Sequence, residues 1–206
     1  MLFKDLLPDT FIILDTEYTS WKGSQERNWS KENEYKELVQ IAAIKIKKTQ
    51  KTLKLVKKIN IYVKPKKNPQ LSDYFINLTN ISQETIDKKG IKFKEAMKKI
   101  YIFCRNNKNE KYPILSYGND YGIIKENLKL NSINKKSRYY KWKKCFYDVR
   151  FFFDLFTDSS KYTSGTIYKA FNIKPNTKES VHNALWDCIS IYISLKYNFN
   201  KQIINK

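Results

Sequence analysis

Apolar and polar positions follow two different rhythms along this chain, and the change between them divides it. FIILDTEY at 11–18 is an almost unbroken apolar run ending in acids, which predicts a buried strand. ELVQIAAIKIKK at 37–48 predicts a second strand with a polar edge, and LKLVKKINIYVKP at 53–65 a third, closed by Pro65. Both links between them are too short for helical crossovers, so the three form an antiparallel meander. The spacing then becomes helical: LSDYFINL, SQETIDKK from Ser82, and FKEAMKKIYIFCRNN at 93–107 repeat apolar residues every three or four positions. PILSYG at 113–118 predicts a short buried strand, DYGIIKENLKL a helix, and KKCFYDV at 143–149 a fifth strand. Helices follow around 150–156, 165–171 and 183–196. This order places helices on a mixed sheet, an α/β arrangement. SWKGSQERNWSKENEY at 20–35 fits neither rhythm, and a loop of that length in a compact domain is functional or disordered.

The chain has 206 residues, which predicts one domain over 1–206 with a core at about 10–196, a loop at 20–36 beside the site and a basic C-terminal tail at 197–206. Hydrophobic residues at 41% and only five Gly and five Pro are the composition of a folded protein. No apolar run approaches the roughly 18 residues that span a bilayer, and MLFKDLLPDT has an acid and a proline where a signal peptide needs an apolar core. A cytoplasmic protein without a membrane partner is the expectation. Cys104, Cys145 and Cys188, roughly forty residues apart, fit neither a disulfide framework nor a zinc pair. The formal charge of +20 favours a nucleic-acid partner through phosphate attraction and counterion release. An AT-rich coding bias towards Lys, Asn and Ile would raise the charge without any such partner.

The acids supply the chemistry. Asp15 and Glu17 are two apart at the end of an apolar strand and therefore share a face. Two buried carboxylates are costly unless a cation neutralises them, and hard divalent ions take oxygen ligands. D-x-E is also a common hydrated strand end. Asp120 opens a helix after the short strand, where an N-cap is its ordinary role. Asp187 lies among Ala184, Trp186, Cys188 and Ile189, a setting that predicts burial and a need for a partner. His182 is the single histidine. Five positions ahead of Asp187 it would point away if both were helical, so we place it on the entering loop with Asn183 as cap. Four acids from separate segments suit two-metal phosphoryl hydrolysis, with ions roughly 3.5 to 4 Å apart. A neutral imidazole, with a pKa near about 6.5, can take the proton of an attacking water. In the 20–36 loop, Trp21 and Trp29 beside Lys22, Arg27 and Lys31 could stack bases and hold phosphates, or pin the loop to the core.

DTEYT, GNDYGIIKENL and HNALWD, in this order, resemble the three motifs of the DEDDh 3′–5′ exonucleases of the RNase H-like superfamily. ELVQIAAIKI resembles that family's second strand, and YVKPKKNPQLSDYFINLTNISQETID the segment before its second motif, so the resemblance covers residues 11–195. The branch most similar is the one that trims histone-message and small-RNA ends. The resemblance implies an RNase H-like fold with a mixed five-stranded sheet and helices on both faces. It implies that Asp15, Glu17, Asp120 and Asp187 bind two Mg²⁺ or Mn²⁺ ions and that His182 is the general base. It also implies that Thr16 and Tyr18 lie beside the 3′ nucleotide and that Tyr117 and Asn119 line the same groove, with packing and capping as their alternative roles. Asn80 departs from the family, which has glycine there. The expected activity is metal-dependent hydrolysis of single-stranded 3′ ends to nucleoside 5′-monophosphates, RNA favoured over DNA. A catalytically silent binding module, a DNA-directed or proofreading-like exonuclease and an enzyme of short oligonucleotides stay open, as does a homodimer.

Overall fold

The structure, a computed structural model, describes residues 3–176 and 182–204. Its frame is a five-stranded sheet in the order β3-β2-β1-β4-β5. Strands β1 (Thr10–Tyr18), β2 (Leu38–Lys48) and β3 (Leu53–Tyr62) form the antiparallel meander, while β4 (Ile114–Ser116) and β5 (Phe146–Asp148) run parallel to β1. β1 is the central strand, which explains its continuous apolar run: both faces are covered. Ile12 and Leu14 enter a cluster with Phe93, Met97, Ile124 and Leu128, whereas Phe11 and Ile13 enter a second one with Cys188, Ile191, Leu195 and Phe199. Helices α4 (Phe93–Phe103) and α5 (Asp120–Leu130) therefore cover one face, and α7 (Ala184–Ile204) the other. The mixed sheet with helices on both faces is as the sequence predicts.

Local chemistry sets the smaller elements. Short helices α1 (Phe3–Leu6), α2 (Asp73–Thr79), α3 (Gln83–Lys89) and α6 (Arg150–Phe153) complete the fold. Ser72 and Ser82 cap α2 and α3, each hydroxyl accepting a backbone N–H at 3.1 Å. Asn80 ends α2 at φ 56°, the left-handed conformation. Glycine fills such a position most easily and asparagine is the usual substitute, so Asn80 suits the turn where the resemblance leads one to expect glycine. At the sheet's outer edge, β3 carries Lys54, Lys57 and Lys58, and Val56 is 58% exposed.

Four expectations are corrected. The fifth strand covers only 146–148, because 140–145 forms a 3-10 turn that inserts Trp142, fully buried against Tyr101 and Phe146. The helix expected at 150–156 ends at Phe153, and the Asp154 carboxylate then accepts Ser159 N–H at 3.1 Å. A 3-10 turn over 167–171 replaces the helix expected at 165–171. The last helix runs to Ile204 rather than 196, since Leu195 and Phe199 extend its buried stripe to Leu7. Residues 197–204 thus belong to the helix and are not a tail; the last two residues lie outside the described ones.

Candidate active site

The site forms where β1 and β4, being parallel, end at the same edge of the sheet. Alternation along β1 turns Asp15 and Glu17 to the α7 face, where Asp187 stands in the first turn of that helix. Carboxylate oxygens of Asp15, Glu17 and Asp187 lie within 4.8 Å of one another. The intervening Thr16 faces the other side and donates from Oγ1 to Asp120 Oδ1 at 2.7 Å. Asp120 follows β4 and opens α5, but the cap is its neighbour: Asn119 Oδ1 accepts Gly122 N–H at 3.1 Å. The Asp120 carboxylate is thereby left to the site, which corrects its ordinary role as an N-cap.

His182 and Asn183 lead into α7. Asn183 caps it, its Oδ1 accepting Leu185 and Trp186 N–H at 3.2 and 3.4 Å. Fully buried Gln40, opposite Glu17 in the sheet, accepts Ala184 N–H at 3.0 Å and donates to Asn60 at 2.9 Å, which ties the helix entrance to β2. His182 takes φ 62°. Histidine is among the few residues enriched in that region, and such backbone is found at functional sites. Its ring lies at the cleft and is half-buried, and burial lowers its pKa, so it is neutral at pH 7.

Burial is the main cause that raises the pKa of all four acids; repulsion from the other carboxylates adds to it at Asp15, Glu17 and Asp120, while the hydrogen bonds from Thr16 to Asp120 and from Ser164 to Asp187 act the other way. Asp120 and Asp187 are pushed up to about 7, while Asp15 and Glu17 lie well above the usual carboxylate range. Ser164 Oγ donates to Asp187 Oδ2 at 2.6 Å, but the buried Asp187 Oδ1 makes no hydrogen bond among the described residues. Hard oxygen donors, crowded like charges and an unsatisfied carboxylate oxygen fit divalent metal ions, and Asp15, Glu17 and Asp187 would hold one.

The surrounding cleft has a volume of about 520 Å³ and includes Tyr18, Trp29, Tyr74, Leu78 and Tyr117 in its wall. The 20–36 segment is an ordered run of turns, and Trp29 serves both expected roles. Its Nε1 donates to Thr19 O at 3.0 Å and its ring packs on Tyr18 at 5.5 Å, yet it also lines the cleft. Lys36 sits 4.5 Å over that ring. Trp21 is not brought to the cleft, because the turn closed by its N–H on Ser24 Oγ at 3.1 Å points it elsewhere. Arg27 is turned into the loop, where it pairs with Glu34. Tyr117 and Asn119 line the cleft, although the Tyr117 hydroxyl donates to Ser159 O at 2.6 Å and the Asn119 side chain is spent as the cap. Sequence reasoning missed Ser164, Tyr74 and Leu78. Ser164 reaches the site only because Trp186 Nε1 holds Gly165 O at 3.1 Å and packs edge-on against Tyr168, and no local pattern announces that.

Comparison with known proteins agrees with this arrangement. Over 98 residues, 48% of this chain, it is 36% identical to the 3′-5′ exonuclease eri1 of Schizosaccharomyces pombe, of which it spans 30%. Its fold is that of the nuclease domain of 3′hExo, a DEDDh family member bound to rAMP, with TM-score 0.73 and 19% identity over 96% of this chain and 92% of that one. It also matches a 3′-exonuclease described in 3′-end specific recognition of the histone mRNA stem-loop, with TM-score 0.76, 18% identity and coverage of 98% and 67%. Residues 12–194 match the RNase_T exonuclease family, and with the acids of β1, α5 and α7 gathered at one end of its sheet the chain belongs to that family.

Proposed function

We propose that this chain is a 3′–5′ exonuclease that releases nucleoside 5′-monophosphates from single-stranded 3′ ends, with RNA preferred to DNA. The observation that carries the reading is the cluster of Asp15, Glu17 and Asp187 oxygens within 4.8 Å, with a buried oxygen that makes no hydrogen bond among the described residues. Asp120, joined to the cluster through Thr16 and β1, makes a fourth ligand, enough for two Mg²⁺ or Mn²⁺ ions. Bound ions of this kind neutralise phosphate charge and make water a nucleophile near neutral pH. His182, neutral through burial and hinged at the mouth of α7, accepts the proton of the attacking water. Tyr18, Trp29 and Tyr117 form the wall against which the terminal nucleotide rests. The preference for RNA is supported by the relatives named for histone mRNA and bound to rAMP.

The test uses 5′-labelled single-stranded RNA and DNA of identical sequence, with Mg²⁺, with Mn²⁺ and with chelator. A ladder shortening from the 3′ end is expected, faster on RNA and absent in chelator. Asp15→Ala should abolish it, and His182→Ala should slow it by roughly 10²- to 10⁴-fold, the usual worth of a positioned base. Cleavage by Asp15→Ala at the wild-type rate would overturn the assignment. Equal cleavage of DNA would overturn the sugar preference alone.

A further inference from the structure

On the α4 face of the sheet, away from the carboxylates, lies a second concavity of about 360 Å³. Five cations converge on it: Lys45 and Lys57 from β2 and β3, Lys98 from α4, and Arg105 and Arg138 from the flanking loops. Among the described residues, no Asp or Glu lines it and none of the five takes part in an ion pair. The arrangement sets like charges together twice. Lys45 and Lys57 are direct cross-strand partners, a position where equal charges destabilise a sheet. The Arg105 and Arg138 guanidinium carbons stand 5.1 and 5.4 Å from the same Tyr101 ring. That ring is rigid, buried to 3% exposure between Tyr139 and Trp142. Among the described residues the Arg105 guanidinium donates only to a carbonyl, Asn109 O, with Nε at 2.7 Å. Lys45 is fixed over the Phe103 and Tyr112 rings at 5.4 and 4.7 Å. Burial lowers its pKa and the Lys57 charge adds to that, so an anion at this place would relieve both.

Cations held over aromatic rings, with neutral amides at the rim and no acidic side chain among the described lining residues, make a receptor for phosphates joined to planar bases. We propose that this cradle binds the backbone of single-stranded nucleic acid upstream of the 3′ end held in the cleft. The direction rests on the exonuclease reading; the binding does not. Lys45 pairs with Ile12 and Gln40 with Glu17, and five residues of strand span roughly 17 Å. At roughly 3.4 Å per nucleotide, a stacked strand that covers this distance extends about five nucleotides beyond the cleft. Long strands are therefore gripped at two places and short remnants at one.

The test compares wild type with a Lys57→Gln, Lys98→Gln, Arg138→Gln variant, and with a control lacking the same number of charges at Lys89, Lys92 and Lys94. In chelator, binding of a roughly 20-nucleotide RNA by the cradle variant should weaken at least about tenfold, and the log–log salt slope should fall by about 2, at about 0.7 for each lost contact to a single strand. With metal, hydrolysis of a dinucleotide should stay at the wild-type rate. Unchanged affinity and slope for the long strand, or an equal loss in the control, overturns the proposal. Competition by inorganic phosphate or AMP that matches the strand would make the cradle a free-nucleotide pocket, and overturns it too. If wild type cleaves nothing while the binding loss appears, the exonuclease reading fails and the cradle stands.

Discussion

Asp187 treats its two oxygens differently: Oδ2 takes the Ser164 hydroxyl, and Oδ1 is buried without a hydrogen bond among the described residues. Without a cation, such a cluster opposes folding once it is ionised. The sign follows from linkage: a carboxyl whose pKa is raised on folding costs nothing below its unfolded value and costs fully above its folded one. For Asp120 and Asp187 these limits are 3.8 and about 7. In chelator the protein should therefore lose thermal stability as pH rises from about 4 to about 7, and Mg²⁺ or Mn²⁺ should restore it at pH 7 by mass action. Melting curves with and without metal over that range would check this, and a chelated protein that gains stability as pH rises would contradict it. Asp15→Asn should melt higher than wild type in chelator and gain less from metal. Asp15, Glu17 and Asp187 were legible in the sequence because each interrupts or ends an apolar run, and Asp120 through the motif GNDYGIIKENL; Ser164, in a polar stretch, owes its place to Trp186, far along the chain, and its contact with Tyr168.

At the level of elements, the site depends on how two helices begin. Asn119 can cap α5 only because residue 122 has no side chain: a Cβ on Gly122 would stand 2.3 Å from the Asn119 carboxamide. Gly122→Ala should displace the cap, cost about 1 kcal/mol, and turn Asp120 away from Thr16. Activity should then fall more than stability does, which a denaturation midpoint and a rate measured on the same sample would separate. The strands and long helices were readable because burial on one or two faces leaves a period in the sequence. The stretch from 140 to 171 was not, since its 3-10 turns follow the shapes of Trp142 and Tyr168 rather than any repeat. The end of α7 was misjudged for a related reason: its last buried contact, Phe199 against the cluster that includes Leu7, involves a partner nearly the whole chain away.

Across the whole molecule, a formal charge of +20 surrounds a pit of four acids, so the body attracts a polyanion that the pit, without cations, repels. Binding should hence tolerate chelator while cleavage does not. The open edge of the sheet bears on how the protein behaves in bulk. β3 is ten residues long, lies outermost, and exposes Leu55 and Val56 between its lysines. An unpaired edge of that kind is a template for a second sheet, and lysines are a common means of keeping it apart. At 1 M salt the screening length is about 3 Å, shorter than the roughly 4.8 Å between paired strands. Concentrated protein should then be monodisperse in dilute buffer and begin to self-associate edge to edge as salt is added, visible as rising light scattering. Removing charge at Lys54 and Lys58 should bring that onset to lower salt, so the lysines of β3 set the colloidal limit at which this protein can be stored.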